Sequence, residues 1–139
     1  MKYFCMDLSK VGFVAGNFDL IHPGYINLFK FAQKHCNLLI VAVHTDPSIE
    51  RPNKFRPIHT LNERKKIIGS IKYVDKITHY KNEKDLIKLL KNLSISVRFL
   101  DEKYKQKKYT GIELNIPIKW VPRKHNYSTT NLVKKIKLL

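Results

Sequence analysis

The sequence predicts an α/β protein, a doubly wound parallel sheet with helices on both faces, and three observations carry that expectation. Apolar runs of strand length alternate with stretches of helical spacing, in the order strand, helix, strand, helix, strand, helix, strand, strand, helix. The strongest run, LLIVAVHT at 38–45, is continuously apolar rather than alternating, as a central strand covered on both sides requires. The chain has 139 residues, 43% of them hydrophobic, which suits one domain over 1–139 around one core and argues against disorder.

The elements follow in order. VGFVAG at 11–16 is a short buried strand. From Tyr25 onward, Ile26, Leu28, Phe29, Phe31 and Ala32 are too frequent for alternation and fit a helix buried on a broad face. Pro23 suits the first turn of that helix, where its missing N–H costs nothing. After the central strand, Pro47, Pro52 and Pro57 exclude regular helix or central strand from DPSIERPNKFRPIH. TLNERKKIIGSI opens on a capping box, with Thr60 as cap and Glu63 three residues on. DKITH at 75–79 is a short strand, and EKDLIKLLKNL at 83–93 is a helix with Leu86, Ile87, Leu89, Leu90 and Leu93 as its apolar side. SVRFL and PIKWV are two further strands, and Ser128 and Thr129 precede a terminal helix, NLVKKIKLL. Repeats, low-complexity segments and a second domain are not evident.

Composition narrows the function classes. No apolar run approaches the roughly 20 residues that span a bilayer. The start, MKYFCMDLSK, lacks the apolar core and cleavage site of a signal peptide, so a cytoplasmic protein is expected. Cys5 and Cys36 are too few for a disulfide framework and two ligands short of a tetrahedral metal site. Cys36 is expected as a packed thiol, and no metal-ligand set is expected. The net charge of +16 attracts polyanions, including phosphorylated small molecules. Its basic residues are spread along the chain without a nucleic-acid motif, so nucleic acid is not the expected partner.

GNFDLIHPGY, at 16–25, lies at the first strand-to-helix junction. Ligands of open α/β sheets sit beyond the carboxyl ends of the strands, where helix N-termini offer unpaired N–H groups to phosphate. Gly16 permits a tight turn, and Gly24 leaves room for a flat ligand against the backbone. His22 and Asn17 can donate hydrogen bonds to phosphate oxygens. Asp19 is expected to cap or brace its own loop, and His44, ending the central strand, is a weaker candidate for ligand contact.

These residues resemble the signature of the HIGH-motif nucleotidylyltransferases, G-[TSC]-F-D-x-x-H-x-G-H. Two further segments agree. KFRPIHTLNERKKIIGSIKYVDKI is similar to that family's stretch from a K-G-R-P loop to a Y-V-D strand, and PRKHNYSTTNLVKKI to its P-R-x-x-x-[IW]-S-T-T segment. Together they cover most of residues 11–136. The S-T-T ending is typical of the cytidylyltransferase branch, which includes glycerol-3-phosphate cytidylyltransferase and the nucleotidylyl domain of ADP-heptose synthase.

The resemblance implies a single Rossmann-like domain that transfers CMP or AMP from CTP or ATP to a small phosphate monoester, releasing pyrophosphate, with Mg2+ neutralising the triphosphate. It implies that His22, Tyr25, Lys54 and Arg123 act on the transferred group. Gly16, Asn17, Phe18, His22, Gly24, Ser128, Thr129 and Thr130 would bind the nucleotide, and Lys54, Arg64 and Lys72 the acceptor. A homodimer is implied as well. The pattern also departs from the family's. Tyr25 stands where a second histidine is usual, Asp101 and Lys103 stand for a glycine and an acid, and Phe55 stands for a small residue. A tyrosine hydroxyl, with a pKa near about 10, donates a hydrogen bond but carries no positive charge. The alternative expectation is therefore a weakened member of the family that binds nucleotide as a sensor.

Overall fold

A computed structural model describes residues 10–139. In chain order it contains β1 (Val11–Gly16), α1 (Pro23–Lys34), β2 (Leu38–His44), α2 (Leu61–Gly69), β3 (Lys76–Tyr80), α3 (Glu83–Asn92), β4 (Val97–Asp101), β5 (Ile118–Val121) and α4 (Thr129–Lys137). All strand pairings are parallel, in the order β3-β2-β1-β4-β5. The chain winds outward from β1 through β2 and β3, then returns to lay β4 on the other side of β1. The strand order thus reverses between β1 and β4, and the crevice beyond their carboxyl ends is the place for a ligand.

Side-chain alternation in β2 explains the two layers of helix. Leu39, Val41 and Val43 face Phe29 and Ala32 of α1 and Ile68 of α2. Ile40 and Ala42 face the other way, with Phe13 and Tyr80, onto Leu86 and Leu90 of α3. The doubly wound expectation therefore holds. So does the capping box: Thr60 accepts from the Glu63 N–H, and the Glu63 carboxylate accepts from the Thr60 N–H. Cys36 is a packed thiol, donating to the Ala32 carbonyl at 3.3 Å, and burial pushes its pKa up. Cys5 lies outside the described residues. Several boundaries shift by a residue or two from expectation, among them that of SVRFL, which is observed as Val97–Asp101. The third strand starts one residue later than DKITH, and the last helix already begins at Thr129, because Ser128 rather than a later residue caps it. Among the described residues, no helix is long and apolar enough to cross a membrane.

Candidate active site at the β1–β4 switch

The loop after β1 is strained. Phe18 and Leu20 both have φ of 51°, a region that bulky residues rarely enter. Asp19, between them, is buried, and its carboxylate accepts from the N–H groups of Ile58 at 2.7 Å and His59 at 3.0 Å. Asp19 therefore braces the proline-rich loop before α2 as well as its own bend. The Phe18 ring turns into the core, edge-on to Tyr25 and tilted against Phe29. A Cβ on Gly16 would sit 3.0 Å from that ring, so Gly16 and Phe18 build the bend and the ring is not offered to a base.

Arg64 is placed differently from the expected acceptor contact. It is 1% exposed, and its guanidinium donates to the carbonyls of Asn17, His44, Thr45 and His59. It also donates to Asn17 Oδ1 at 3.1 Å. A guanidinium only donates, so this bond fixes the amide with its oxygen inward and leaves its –NH2 for another partner. Burial lowers the Arg64 pKa, while Asp19 and Asp46 oppose the shift. Arg64 thus ties together the carboxyl ends of β1 and β2, where no acceptor can reach it.

His22 is the N-cap of α1. Its Nδ1 accepts from the Gly24 N–H at 3.1 Å, which puts the proton of the neutral ring on Nε2. That Nε2 is buried without a hydrogen-bond partner. A buried unpaired donor costs about 1–3 kcal/mol, recovered when an acceptor arrives. Burial first, then electrostatic repulsion from the His125 and Arg123 side chains, lower the His22 pKa, so the ring is neutral near pH 7.

The Tyr25 ring stacks on His22 with centroids 4.1 Å apart. Its hydroxyl lies 3.0 Å from Thr129 Oγ1, and the Thr129 hydroxyl donates to the Asp19 carbonyl at 2.7 Å. Thr129 has spent its only proton, so Tyr25 is the donor in the pair. Position 25 therefore supplies a tie between α1 and the start of α4, and burial raises the phenol's pKa. At α4 itself, Ser128 Oγ caps the Asn131 N–H. The N–H groups of Thr129 and Thr130 come before any carbonyl that could pair with them in the helix, and Thr130 is exposed.

Arg123 lies in the segment between β5 and α4. It is held by Asp101, the residue standing for the family's glycine, at 3.2 Å, and donates to the Tyr127 carbonyl at 2.9 Å. Over Gly24 lie two imidazoles instead of open space: a Cβ there would sit 2.8 Å from His125 Cε1 and 2.9 Å from His22 Cε1. Sequence reasoning passed over His125, because no local pattern indicates that residue 125 folds onto residue 24.

Three expected residues stand apart. Lys54 is exposed, and its neighbour Phe55 lies under the Lys137 ammonium at the far end of α4. Lys72 is exposed between α2 and the amino end of β3, on the sheet edge opposite the site, because α2 carries the chain back there. His44 is turned inward, stacked on Tyr80 and donating to the Lys81 carbonyl at 3.2 Å.

Comparison with known proteins agrees with this geometry. The family described as Cytidylyltransferase-like matches residues 13–135. A bifunctional protein HldE from Gluconacetobacter diazotrophicus is 37% identical over 84 residues, covering 58% of this chain and 17% of the relative. One from Aliarcobacter butzleri is 30% identical over 131 residues, covering 92% and 27%. The chain thus spans about a quarter or less of the length of these curated relatives. The lipopolysaccharide core biosynthesis protein from Thermoplasma volcanium superposes with a TM-score of 0.66 at 26% identity, over 86% of this chain and 98% of that one. The pantoate-beta-alanine ligase from Francisella tularensis, at 18% identity and a TM-score of 0.61 over 93% and 69%, shares the fold. With the parallel sheet, the switch-point site and the family match in agreement, this chain belongs to the cytidylyltransferase-like nucleotidyltransferase family.

Proposed function

We infer that the chain transfers CMP or AMP from CTP or ATP to a small phosphate monoester, releasing pyrophosphate. The observation that carries this reading is the buried, partnerless Nε2–H of His22, coupled through Tyr25 to the uncapped N–H groups that open α4. Such an array of donors suits the oxygens of a triphosphate. A phosphate oxygen of the acceptor attacks the α-phosphorus in line, the bond to pyrophosphate breaks, and no covalent enzyme intermediate forms. The protein's contribution is position and charge. His22 donates a hydrogen bond as a neutral ring, and Arg123 adds positive charge once phosphate displaces Asp101 from it.

Magnesium belongs to this reading as an ion carried by the nucleotide, where it neutralises triphosphate charge. The carboxylates near the site are already engaged: Asp101 and Glu102 accept from Arg123, and Asp19 accepts from the Ile58 and His59 N–H groups. This fits an ion coordinated largely by phosphates and water. The acceptor is a sugar or polyol phosphate, with glycerol 3-phosphate the simplest. The likeness to a lipopolysaccharide core biosynthesis protein supports an acceptor used in cell-envelope assembly. A homodimer working in the cytoplasm, where nucleoside triphosphates are made, completes the reading.

A second reading, a nucleotide-binding sensor with little turnover, is favoured by two contacts. The Tyr25 hydroxyl is committed to Thr129, and Arg123 is occupied by Asp101. Pyrophosphate release with CTP or ATP, magnesium and a panel of phosphorylated alcohols separates the two. Release with one pair, lost in His22→Ala, supports the enzyme. Binding without release, with turnover appearing in Tyr25→His, supports the sensor.

A further inference from the structure

We propose that His125 is a second phosphate-contacting residue of this site, its Nε2–H donating alongside that of His22 to the triphosphate. The inference rests on the nucleotidyl-transfer reading and deepens it. Its first support is position. The two imidazoles share the space that a Cβ on residue 24 would take, with both Cε1 atoms within 2.9 Å of that point. Any side chain at 24 would push one ring away, so the glycine brings the pair together.

The second support is tautomer. The Tyr127 N–H donates to His125 Nδ1 at 3.1 Å, as the Gly24 N–H donates to His22 Nδ1 at 3.1 Å. Each ring is pinned at Nδ1 by a backbone donor, so each neutral ring carries its proton on Nε2. Neither Nε2 donates to any described residue: His22 Nε2 is buried and unpaired, and the one hydrogen bond of the His125 ring is at Nδ1. Two donors of the same kind, on rings that meet over Gly24 and are each pinned at Nδ1, match a chain of phosphate oxygens. The third support is what position 25 does instead. The Tyr25 hydroxyl donates to Thr129, so the residue after Gly24 does not supply a donor, and the one beside His22 comes from the β5–α4 segment.

The plain alternative is that His125 only closes its own turn through Nδ1. Two variants separate the roles. His125→Asn keeps a side-chain acceptor for the Tyr127 N–H but removes the Nε2 donor. His125→Gln places an amide donor near the Nε2 position. Loss of one preorganised donor typically costs about 10² to 10³ in rate. We expect His125→Asn to lower kcat/KM for the nucleotide by about 10²-fold, and His125→Gln to recover part of that loss. Calorimetric titration with inorganic tripolyphosphate runs beside turnover, so that an unsuitable acceptor does not blind the test. Weaker tripolyphosphate binding by His125→Asn, with folding unchanged by circular dichroism, supports the contact. Equal binding and equal turnover in His125→Asn and the unsubstituted chain overturn it alone. Failure of the unsubstituted chain to bind tripolyphosphate or nucleotide overturns it together with the transfer reading.

Discussion

Asp101 and Arg123 set a competition that a single substitution can read. The Asp101 carboxylate accepts from Arg123 at 3.2 Å, in a pair only partly shielded from water. A phosphate must displace that carboxylate to gain the guanidinium, so the pair subtracts from nucleotide affinity. Asp101→Asn is expected to tighten CTP or ATP binding by several-fold, on the order of 1 kcal/mol for a partly exposed pair, read by calorimetry. Arg64 makes the opposite kind of contact. Its guanidinium satisfies four backbone carbonyls from a fully buried position. Arg64→Met leaves those acceptors unpaired and is expected to cost about 3–5 kcal/mol in urea unfolding. Arg64→Lys should rescue little, because an ammonium lacks the planar fork that reaches several carbonyls at once.

At the scale of elements, the ends of β2 and β3 hold a pH-sensitive pair. His44 stacks on Tyr80 with ring centroids 4.6 Å apart, and both are buried. Burial lowers the His44 pKa below 6.5, although the Lys81 carbonyl, Glu50 and Asp46 favour the charged form and Arg51 opposes it. Below pH 6.5 the unfolded chain binds more protons than the folded one, so stability is present above that pH and falls as pH drops. His22 acts in the same direction. Burial raises Tyr80 from 10.0 to about 12, so the unfolded phenol loses its proton first and stability also falls as pH rises above 10.0. Urea midpoints across pH should therefore decline on both sides of a plateau. Much of this element scale was legible in sequence. The continuous apolar run of β2, the Thr60–Glu63 box and the His22–Pro23 start of α1 are local patterns, and local patterns decide local structure. The inward turn of Arg64 and the arrival of His125 over Gly24 were not legible. Both join residues far apart in the chain, and only the folded sheet brings them together.

For the whole molecule, topology and charge act together. The 3-2-1-4-5 order gathers the α1 start, the end of β4 and the α4 start at one crevice, although Tyr25 and Thr129 are 104 positions apart in the chain. A net charge of +16, spread along the chain, attracts anionic ligands to the molecule as a whole. Nucleotide affinity should fall steadily with added salt, because the screening length shrinks from about 10 Å at 0.1 M to about 3 Å at 1 M. A KM for the triphosphate that does not change with ionic strength would count against field-assisted capture. The resemblance carried the family correctly, while the placement of Lys54 and Lys72 depended on loop and helix directions that motif spacing does not encode.

The central claim is that His22 waits as a neutral ring with its proton on a buried, unpaired Nε2 until phosphate accepts it. Nitrogen NMR of the histidine rings tests this most directly, with and without CTP or ATP and magnesium. The account predicts a His22 ring protonated at Nε2 near neutral pH, whose Nε2–H signal moves downfield when the triphosphate binds. A proton found on Nδ1, or a His22 signal unmoved at saturating nucleotide, would contradict it.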